Sequence, residues 1–340
     1  MAGSVTDPQL AAALARAIQA MTPGAQRLGV GLSGGPDSAM LAVHAADYAR
    51  RYGISLHCLH VHHGLQEAAG QWRDHARDLA YSLETEWCER QVVVDFSHGD
   101  GMESAARTAR YAALIDMSRS LALDAVLLAH HRDDQAETVL MRLLRGAGPE
   151  GLAAMRPGVQ REGVTFLRPW LDMPRARILA CAGRYAQAHG WQAVQDPTNV
   201  HEGYTRGAVR ARLAPQLDER WPGWQAILAR HARQSAELAE LLAEVSAQDF
   251  AALEPGEDAL SFSLAAWRKL SPVRQTQVLR YWLGRAGLRM PADARLQELM
   301  RQMRGLHALG HDRGLQLRHD GWLIRCVRGR MLLLPANALQ

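Results

Sequence analysis

Leu28-Gly-Val-Gly-Leu-Ser-Gly-Gly-Pro-Asp-Ser-Ala-Met-Leu41 is the stretch around which the chain is organised. Residues 28–32 are apolar or glycine and predict a short buried strand. The run stops at Ser33-Gly34-Gly35-Pro36-Asp37-Ser38, and apolar residues at helical spacing resume behind it. Gly34 and Gly35 let the backbone turn with no Cβ in the way. Pro36 and Asp37 suit a first helical turn. Amides at a helix start, beside the hydroxyls of Ser33 and Ser38, make a site for phosphate. An ordinary glycine-rich turn is the plain alternative.

No Gly-Lys-Ser/Thr follows the glycines, so this is not a Walker A loop. The chain holds a single lysine, Lys269, far from the turn. Gly29 and Gly31 lie before the turn, so it is not Gly-x-Gly-x-x-Gly either. The string Ser-Gly-Gly-x-Asp-Ser resembles the pyrophosphate loop of the N-type ATP pyrophosphatases. The resemblance implies ATP split between its α and β phosphates and an oxygen of the substrate adenylated.

The 340 residues suggest two domains. A composition of 48% hydrophobic and 22% charged residues is that of a globular protein with ample core. No stretch approaches the roughly 20 apolar residues of a membrane span, and the N-terminus lacks the pattern of a signal peptide. Cys58, Cys88, Cys181 and Cys326 are widely spaced. That argues for a reducing compartment, hence a cytoplasmic location, and against closely paired cysteine ligands. Residues 261–340 hold 14 Lys and Arg against 4 Asp and Glu, a net +10. Residues 1–260 hold 25 against 31, a net −6. A basic tail on an acidic body suggests a polyanion partner; a solvated charged face is the alternative.

In chain order the spacing predicts a helix over 8–22, the strand and loop above, a helix over 37–52 and a strand over 54–61. A polar helix over 66–88, a strand over 91–95, a helix over 102–123, a strand over 124–129 and a helix over 133–145 follow. A further strand is expected at 164–169 and helices at 174–189 and 204–213. This alternation argues for a doubly wound, mostly parallel α/β sheet. Ligands in such sheets sit beyond the carboxyl ends of strands, where the motifs at 33–38, 60–65 and 130–138 all fall. The expected organisation is a catalytic domain over 1–220, a linker helix over 221–250, and a smaller, mostly helical α+β domain over 251–340. In that second domain, three short helices over 263–304 precede a β-hairpin over 314–334.

Asp133-Asp134-Gln135-Ala136-Glu137-Thr138 opens a helix right after a strand. The macrodipole favours acids there, but Asp134 and Glu137, at i, i+3 on one face, exceed what capping needs. Facing a phosphate loop, such acids can hold Mg²⁺ or an ammonium group. His60, His62, His63, His130 and His131 invite a zinc reading, yet no acid interrupts His60-Val-His-His-Gly-Leu65. A polar contact to a nucleotide, or a structural role, suits His63 and His130 better. Glu103, Arg107 and Arg110 share one helix stripe, as do Arg206 and Arg210 after Asn199. The first set can pair charges along a surface face; the second can clamp phosphates or RNA, or form a solvated basic face.

Ser33–Ser38, His63-Gly-Leu65, Glu103–Tyr111, His130–Thr138 with Arg145-Gly146, Arg168-Pro-Trp-Leu171, Asp196–Asn199 and Tyr204–Arg210 run in the order seen in tRNA(Ile)-lysidine synthetases. The chain resembles that family strongly over about 28–215 and weakly over about 225–335. Gln66, His201 and Gly207 depart from residues common in the family. The resemblance implies an adenine nucleotide α-hydrolase-like (PP-loop) fold and a tRNA-modifying ligase. The C2 oxygen of the wobble cytidine in tRNA(Ile) with a CAU anticodon would attack ATP. Free L-lysine would then displace AMP, leaving lysidine. The site assignment that follows has Ser33, Gly34, Gly35, Pro36, Asp37, Ser38, His63 and His130 on ATP. Asp37 and Asp134 hold Mg²⁺, and Asp37, Asp134, Glu137 and Arg206 are catalytic. Glu103, Arg107, Arg110, Asn199 and Arg210 meet lysine or tRNA. No membrane contact is expected, and a homodimer is left open. The rivals are a 2-thiolation-type adenylating enzyme, which would need paired cysteines, and a metal-dependent hydrolase using the histidines.

Overall fold

The computed structural model describes residues 5–62, 69–94, 102–194, 205–306 and 315–336, the side chains of Ala69, Met102 and Glu103 excepted. The chain divides into two units, Met1–Ala236 and Glu237–Gln340. The division falls inside one long helix.

The first unit begins with α1 (Pro8–Met21), capped by the Asp7 carboxylate on the amides of Gln9 and Leu10. Next come β1 (Arg27–Gly31), α2 (Pro36–Tyr52), β2 (Ser55–His62), α3 (Ala69–Ser82), β3 (Glu86–Gln91), α4 (Met102–Ser120) and β4 (Ala125–Leu127). Then follow α5 (Arg132–Leu143), α6 (Pro149–Leu152), β5 (Gly158–Arg161), β6 (Val164–Leu167) and α7 (Arg175–His189). The sheet order is β3-β2-β1-β4-β6-β5, parallel throughout except that β5 runs antiparallel to β6.

Alternation along the strands builds two cores. Leu28 and Val30 of β1 and Ala125 and Leu127 of β4 point into a layer with α1, α2, α3 and α7. Leu59, Val126 and Phe166 point the other way, onto Leu114, Ile115 and Met117 of α4. Gly29 belongs to this second face; a Cβ there would stand 2.7 Å from Leu123 Cδ1 and 2.8 Å from Leu59 Cδ1. The doubly wound α/β sheet read from the sequence is therefore the fold.

Two expectations need correction, and one strand is new. The helix expected to reach 88 ends at Ser82, and Glu84 turns with φ 57°. The third strand is Glu86–Gln91, not 91–95; β2 pairs with the polar Glu86–Gln91, and Val93 is almost fully exposed. An edge strand needs a hydrogen-bonding partner more than an apolar pattern, so the valine run misleads. The antiparallel edge strand β5 was not expected at all.

After α8 (Thr205–Ala208) a π-helical turn covers Val209–Leu213, followed by α9 (Ala214–Arg220) and α10 (Trp224–Ala251). The second unit contains β7 (Ser261–Ser263), α11 (Leu264–Arg268), α12 (Pro272–Arg285), α13 (Asp293–Gly305), β8 (Gln316–His319), β9 (Trp322–Val327) and β10 (Arg330–Pro335). The three short helices are present. The expected hairpin is instead part of a four-stranded antiparallel sheet, β7-β10-β9-β8. Its core centres on Phe262, Trp267 and Trp282. Buried Gln275 donates to the carbonyls of Trp267 and Leu270 and accepts from Arg304 Nε.

Candidate active site

The strand order reverses between β1 and β4, since their following helices α2 and α5 leave toward different neighbours. That crevice is where open α/β sheets bind ligands. The loop after β1 and the segment after β4 both end there.

In the first loop Gly34 has φ 89°, a region that L side chains rarely adopt. Its carbonyl accepts from Val194 N at 3.0 Å, and a Cβ would meet the Trp72 carbonyl at 3.4 Å. Gly35 is the N-cap of α2, with Pro36 in the first turn. Ser38 Oγ donates to the Gly35 carbonyl at 3.1 Å, accepts from Ser33 N at 3.1 Å, and lies 3.0 Å from Ser33 Oγ. The loop is pinned from inside, while the first-turn amides of α2 stay without intrahelical partners. They form a cradle for anionic oxygens.

His131 caps α5. Its Nδ1 accepts from Asp134 N at 3.3 Å, and Asp134 Oδ2 accepts from His131 N at 3.2 Å. The Nε2 of the same ring lies 3.8 Å from Asp37 Oδ1 and 3.3 Å from Asp134 Oδ2. One imidazole, bonded on the α5 side, thus also lies close to the acid of the other half of the crevice. Asp37 also meets Arg175 Nη2 of α7 at 3.4 Å, while its Oδ1 is buried without a hydrogen-bond partner. Asp133 accepts from the backbone N of the same Arg175 at 3.4 Å.

Asp134 and Glu137 are both buried. Burial raises the Asp134 carboxyl, but the His131 and His130 rings and Arg206 and Arg210 outweigh it, and the group is held below the usual carboxylate range. Arg210 Nε donates to Glu137 Oε1 at 2.7 Å, and its Nη2 reaches Glu137 Oε2 and Asp134 Oδ1, each at 3.0 Å. Arg206 Nε is 3.1 Å from Glu137 Oε2, and its Nη2 donates to Thr138 Oγ1 at 2.9 Å.

Beside these acids stands a basic wall. Tyr111 OH accepts from Arg168 Nη2 at 3.0 Å and from Arg107 Nη2 at 3.4 Å. Arg168, buried, also donates to the Arg156 carbonyl at 2.8 Å. Burial lowers the Arg107 guanidinium to about 10, with Arg110, Arg168 and Arg206 adding repulsion. Arg110 is lowered for the same reasons. His130 is driven well below an ordinary imidazole by burial, helped by Arg168, Arg110 and Arg107. Its Nδ1 is buried without a partner. Such a cluster of cations suits a phosphate-bearing ligand.

Ser33–Ser38, Asp37, Asp134, Glu137, His130, Arg107, Arg110, Arg206 and Arg210 are thus gathered at one end of the sheet. His63, Asn199 and the side chain of Glu103 lie outside the described residues, as do Gln66 and His201. His60 instead serves the fold; its Nδ1 bonds the Leu32 carbonyl at 2.8 Å and its ring stacks on Trp87. Sequence reasoning missed Arg175 and the bridging role of His131. His131 occupies the N-cap of α5, a position capping preferences do not assign to histidine, so they gave no signal for it. Nothing local could have found Arg175, 138 residues from Asp37.

Asp37 Oδ1, a buried acceptor lacking a donor, suits a hard oxygen-seeking cation, whereas both oxygens of Asp134, expected beside it as a ligand, are taken by Arg210 and His131 N. Among the described residues no group of three His, Cys, Asp or Glu could hold a metal ion. That donor set fits Mg²⁺ carried largely by phosphate oxygens and water.

A model described as the PP-loop domain matches residues 7–217, and one described as the TilS substrate binding domain matches residues 262–332. The tRNA(Ile)-lysidine synthase of Bordetella pertussis is 57% identical over 318 residues, covering 94% of this chain and 99% of that protein. The tRNA(Ile)-lysidine synthase of Ralstonia nicotianae is 42% identical over 316 residues, covering 92% of this chain and 66% of that protein. Among solved structures, the U34-tRNA thiolase NcsA from Methanococcus maripaludis superposes with a TM-score of 0.54 at 17% identity, over 66% of this chain and 78% of that one. At that identity the likeness speaks for the fold alone.

Proposed function

Given that the chain belongs to the tRNA(Ile)-lysidine synthases, built on a PP-loop domain, we propose how its residues carry out the reaction. The protein forms lysidine on tRNA(Ile). The finer reading is an AMP-forming ligase that joins free L-lysine to C2 of the wobble cytidine in a CAU anticodon. The observation that carries it is the meeting of a lysine-free phosphate cradle with buried Asp134 and Glu137, joined by His131.

In the first step the cytidine O2 attacks the α-phosphorus of ATP. The O–P bond forms as the bond to the β-phosphate breaks, and pyrophosphate leaves. The amides of residues 33–38 take up the charge gathering on that leaving group, the role a lysine plays in other nucleotide loops. Arg107, Arg110 and Arg206 stand ready for the remaining phosphate charge. Asp37 would hold Mg²⁺, which supplies positive charge to the phosphate oxygens when bound.

In the second step the ε-amine of lysine, as the free base, attacks C2, sheds its proton, and expels AMP. Asp134 and Glu137 hold an ammonium group of that lysine. No covalent enzyme intermediate is required. The basic second unit, with its surplus of arginine, is the proposed hold on the tRNA. A cytoplasmic location agrees with four free cysteines and with the lack, among the described residues, of a helix long and apolar enough to cross a membrane. Incubation with ATP, labelled lysine and tRNA(Ile), then nucleoside analysis, tests the proposal. Label in a modified cytidine supports it, and label left in free lysine refutes it.

A further inference from the structure

The carboxylates assigned to lysine already hold a cation. An incoming ammonium brings three donors and a positive charge to these oxygens. Arg210 takes Glu137 Oε1, Glu137 Oε2 and Asp134 Oδ1. The fourth oxygen, Asp134 Oδ2, accepts from His131 N. Arg206 is also paired with Glu137 Oε2. Two negative charges therefore face two guanidinium groups in a buried place, and a third cation would meet a matched site.

The element that carries Arg210 is unusual. Val209–Leu213 is π-helical, a wound form with one extra residue per turn that is rare and often marks a functional site. Such a turn can return to α-helix by passing on its extra residue, and that shift would carry Arg210 off the acids. Arg210 is the one of the pair whose three bonds all end on the acids; Arg206 has a second anchor in Thr138.

We propose that Arg210 is a placeholder and specificity gate: in the resting enzyme its guanidinium fills the ammonium subsite on Asp134 and Glu137, and lysine enters only when Arg210 withdraws. This rests on the reading of the two acids as the lysine site. Arg210 is a positioning residue here; it acts through the acids and not on the reacting atoms. The gate makes lysine binding wait on whatever moves residues 205–213, and it disfavours any amine too weakly held to displace a bidentate guanidinium.

The test is calorimetric titration of lysine into the full chain with a non-hydrolysable ATP analogue and no tRNA. Wild type is compared with Arg210→Gln, Arg210→Lys, and Arg210→Gln combined with Glu137→Gln. The gate predicts that Arg210→Gln binds lysine about tenfold tighter or better than wild type, or about 1.4 kcal/mol. The KM for lysine in the complete reaction should fall in parallel, whatever happens to kcat. Arg210→Lys, which keeps the charge but loses the fork, should fall between. Unchanged or weaker lysine binding by folded Arg210→Gln, with analogue binding intact, overturns the gate. Should Arg210→Gln fail to fold, Arg210→Lys decides, and equality with wild type overturns the gate. Lysine binding that survives Glu137→Gln in the Arg210→Gln background removes lysine from the acids, and the gate falls with that reading. Loss of binding there, without any gain from Arg210→Gln alone, removes the gate only.

Discussion

The Nε2 of His131 stands 3.8 Å from Oδ1 of Asp37, so the cap of α5 touches the first turn of α2 across the reversal point of the sheet. Two sequence motifs nearly a hundred residues apart thereby share one ring. The consequences can be measured residue by residue.

Asp37→Ala removes the acid that faces both His131 and Arg175. Its partner Arg175 is partly exposed, so breaking the ion pair should cost no more than about 1 kcal/mol. Pyrophosphate release should fall by roughly 100-fold or more. A thermal melt beside a pyrophosphate assay checks both. Normal turnover in the folded variant would take Asp37 out of the site.

Gly34 and Gly35 should behave oppositely. Gly34 sits at φ 89°, where an L side chain is strained even though its Cβ would meet the Trp72 carbonyl only at 3.4 Å. Gly34→Ala should destabilise the first unit by about 1–2 kcal/mol and weaken ATP binding. Gly35 has φ −72°, and its added Cβ would meet only Ser33 Oγ, at 3.7 Å. Gly35→Ala should melt within about 0.5 kcal/mol of wild type. Equal melting temperatures for the two variants would contradict the loop geometry.

How much of this was legible follows from the range of each interaction. The turn at 33–38 was readable because glycine, proline and serine act on their own backbone, and the structure keeps Gly35 as cap and Pro36 in the first turn. The apolar run 28–32 was likewise readable as a buried strand, but which face Leu28 and Val30 take and which Gly29 takes came only from the packing. The polar edge strand β3 and the antiparallel β5 carried no such pattern, because edges are chosen by their neighbours. Arg210 was legible as a cation near the site. That it lies on the acids depends on how residues 205–213 pack against α5, which no local spacing encodes.

Stability should fall on mild acidification. His44, His60 and His130 are each held below an ordinary imidazole, chiefly by burial. Below about pH 6.5 the unfolded chain binds protons that the folded chain refuses, so stability is complete above that pH and declines beneath it. Each group adds up to about 1.4 kcal/mol per pH unit. The lowered Asp134 acts only below its usual 3.8, outside this window. Denaturant melts between pH 7 and 5 should show the decline, and His130→Gln should flatten it by about one proton. A profile flat to pH 5 would show these rings to be protonated in the fold.

Charge in the second unit should set the salt dependence of tRNA binding. Arg285, Arg289 and Arg328 are exposed there. Changing all three to Gln should weaken tRNA affinity and reduce the slope of log K against log salt by roughly 0.7–0.9 for each phosphate no longer neutralised. A binding isotherm series at several salt concentrations gives the slope. An unchanged slope would place the tRNA-binding surface elsewhere.

The central claim is that the lysine-free cradle at residues 33–38 grips the two outer phosphates of ATP as they depart together. The most direct measurement uses γ-labelled ATP with tRNA(Ile) and the protein, lysine withheld. The account predicts tRNA-dependent label in pyrophosphate, with AMP retained on the tRNA. Label in orthophosphate, with ADP as its companion, would contradict it.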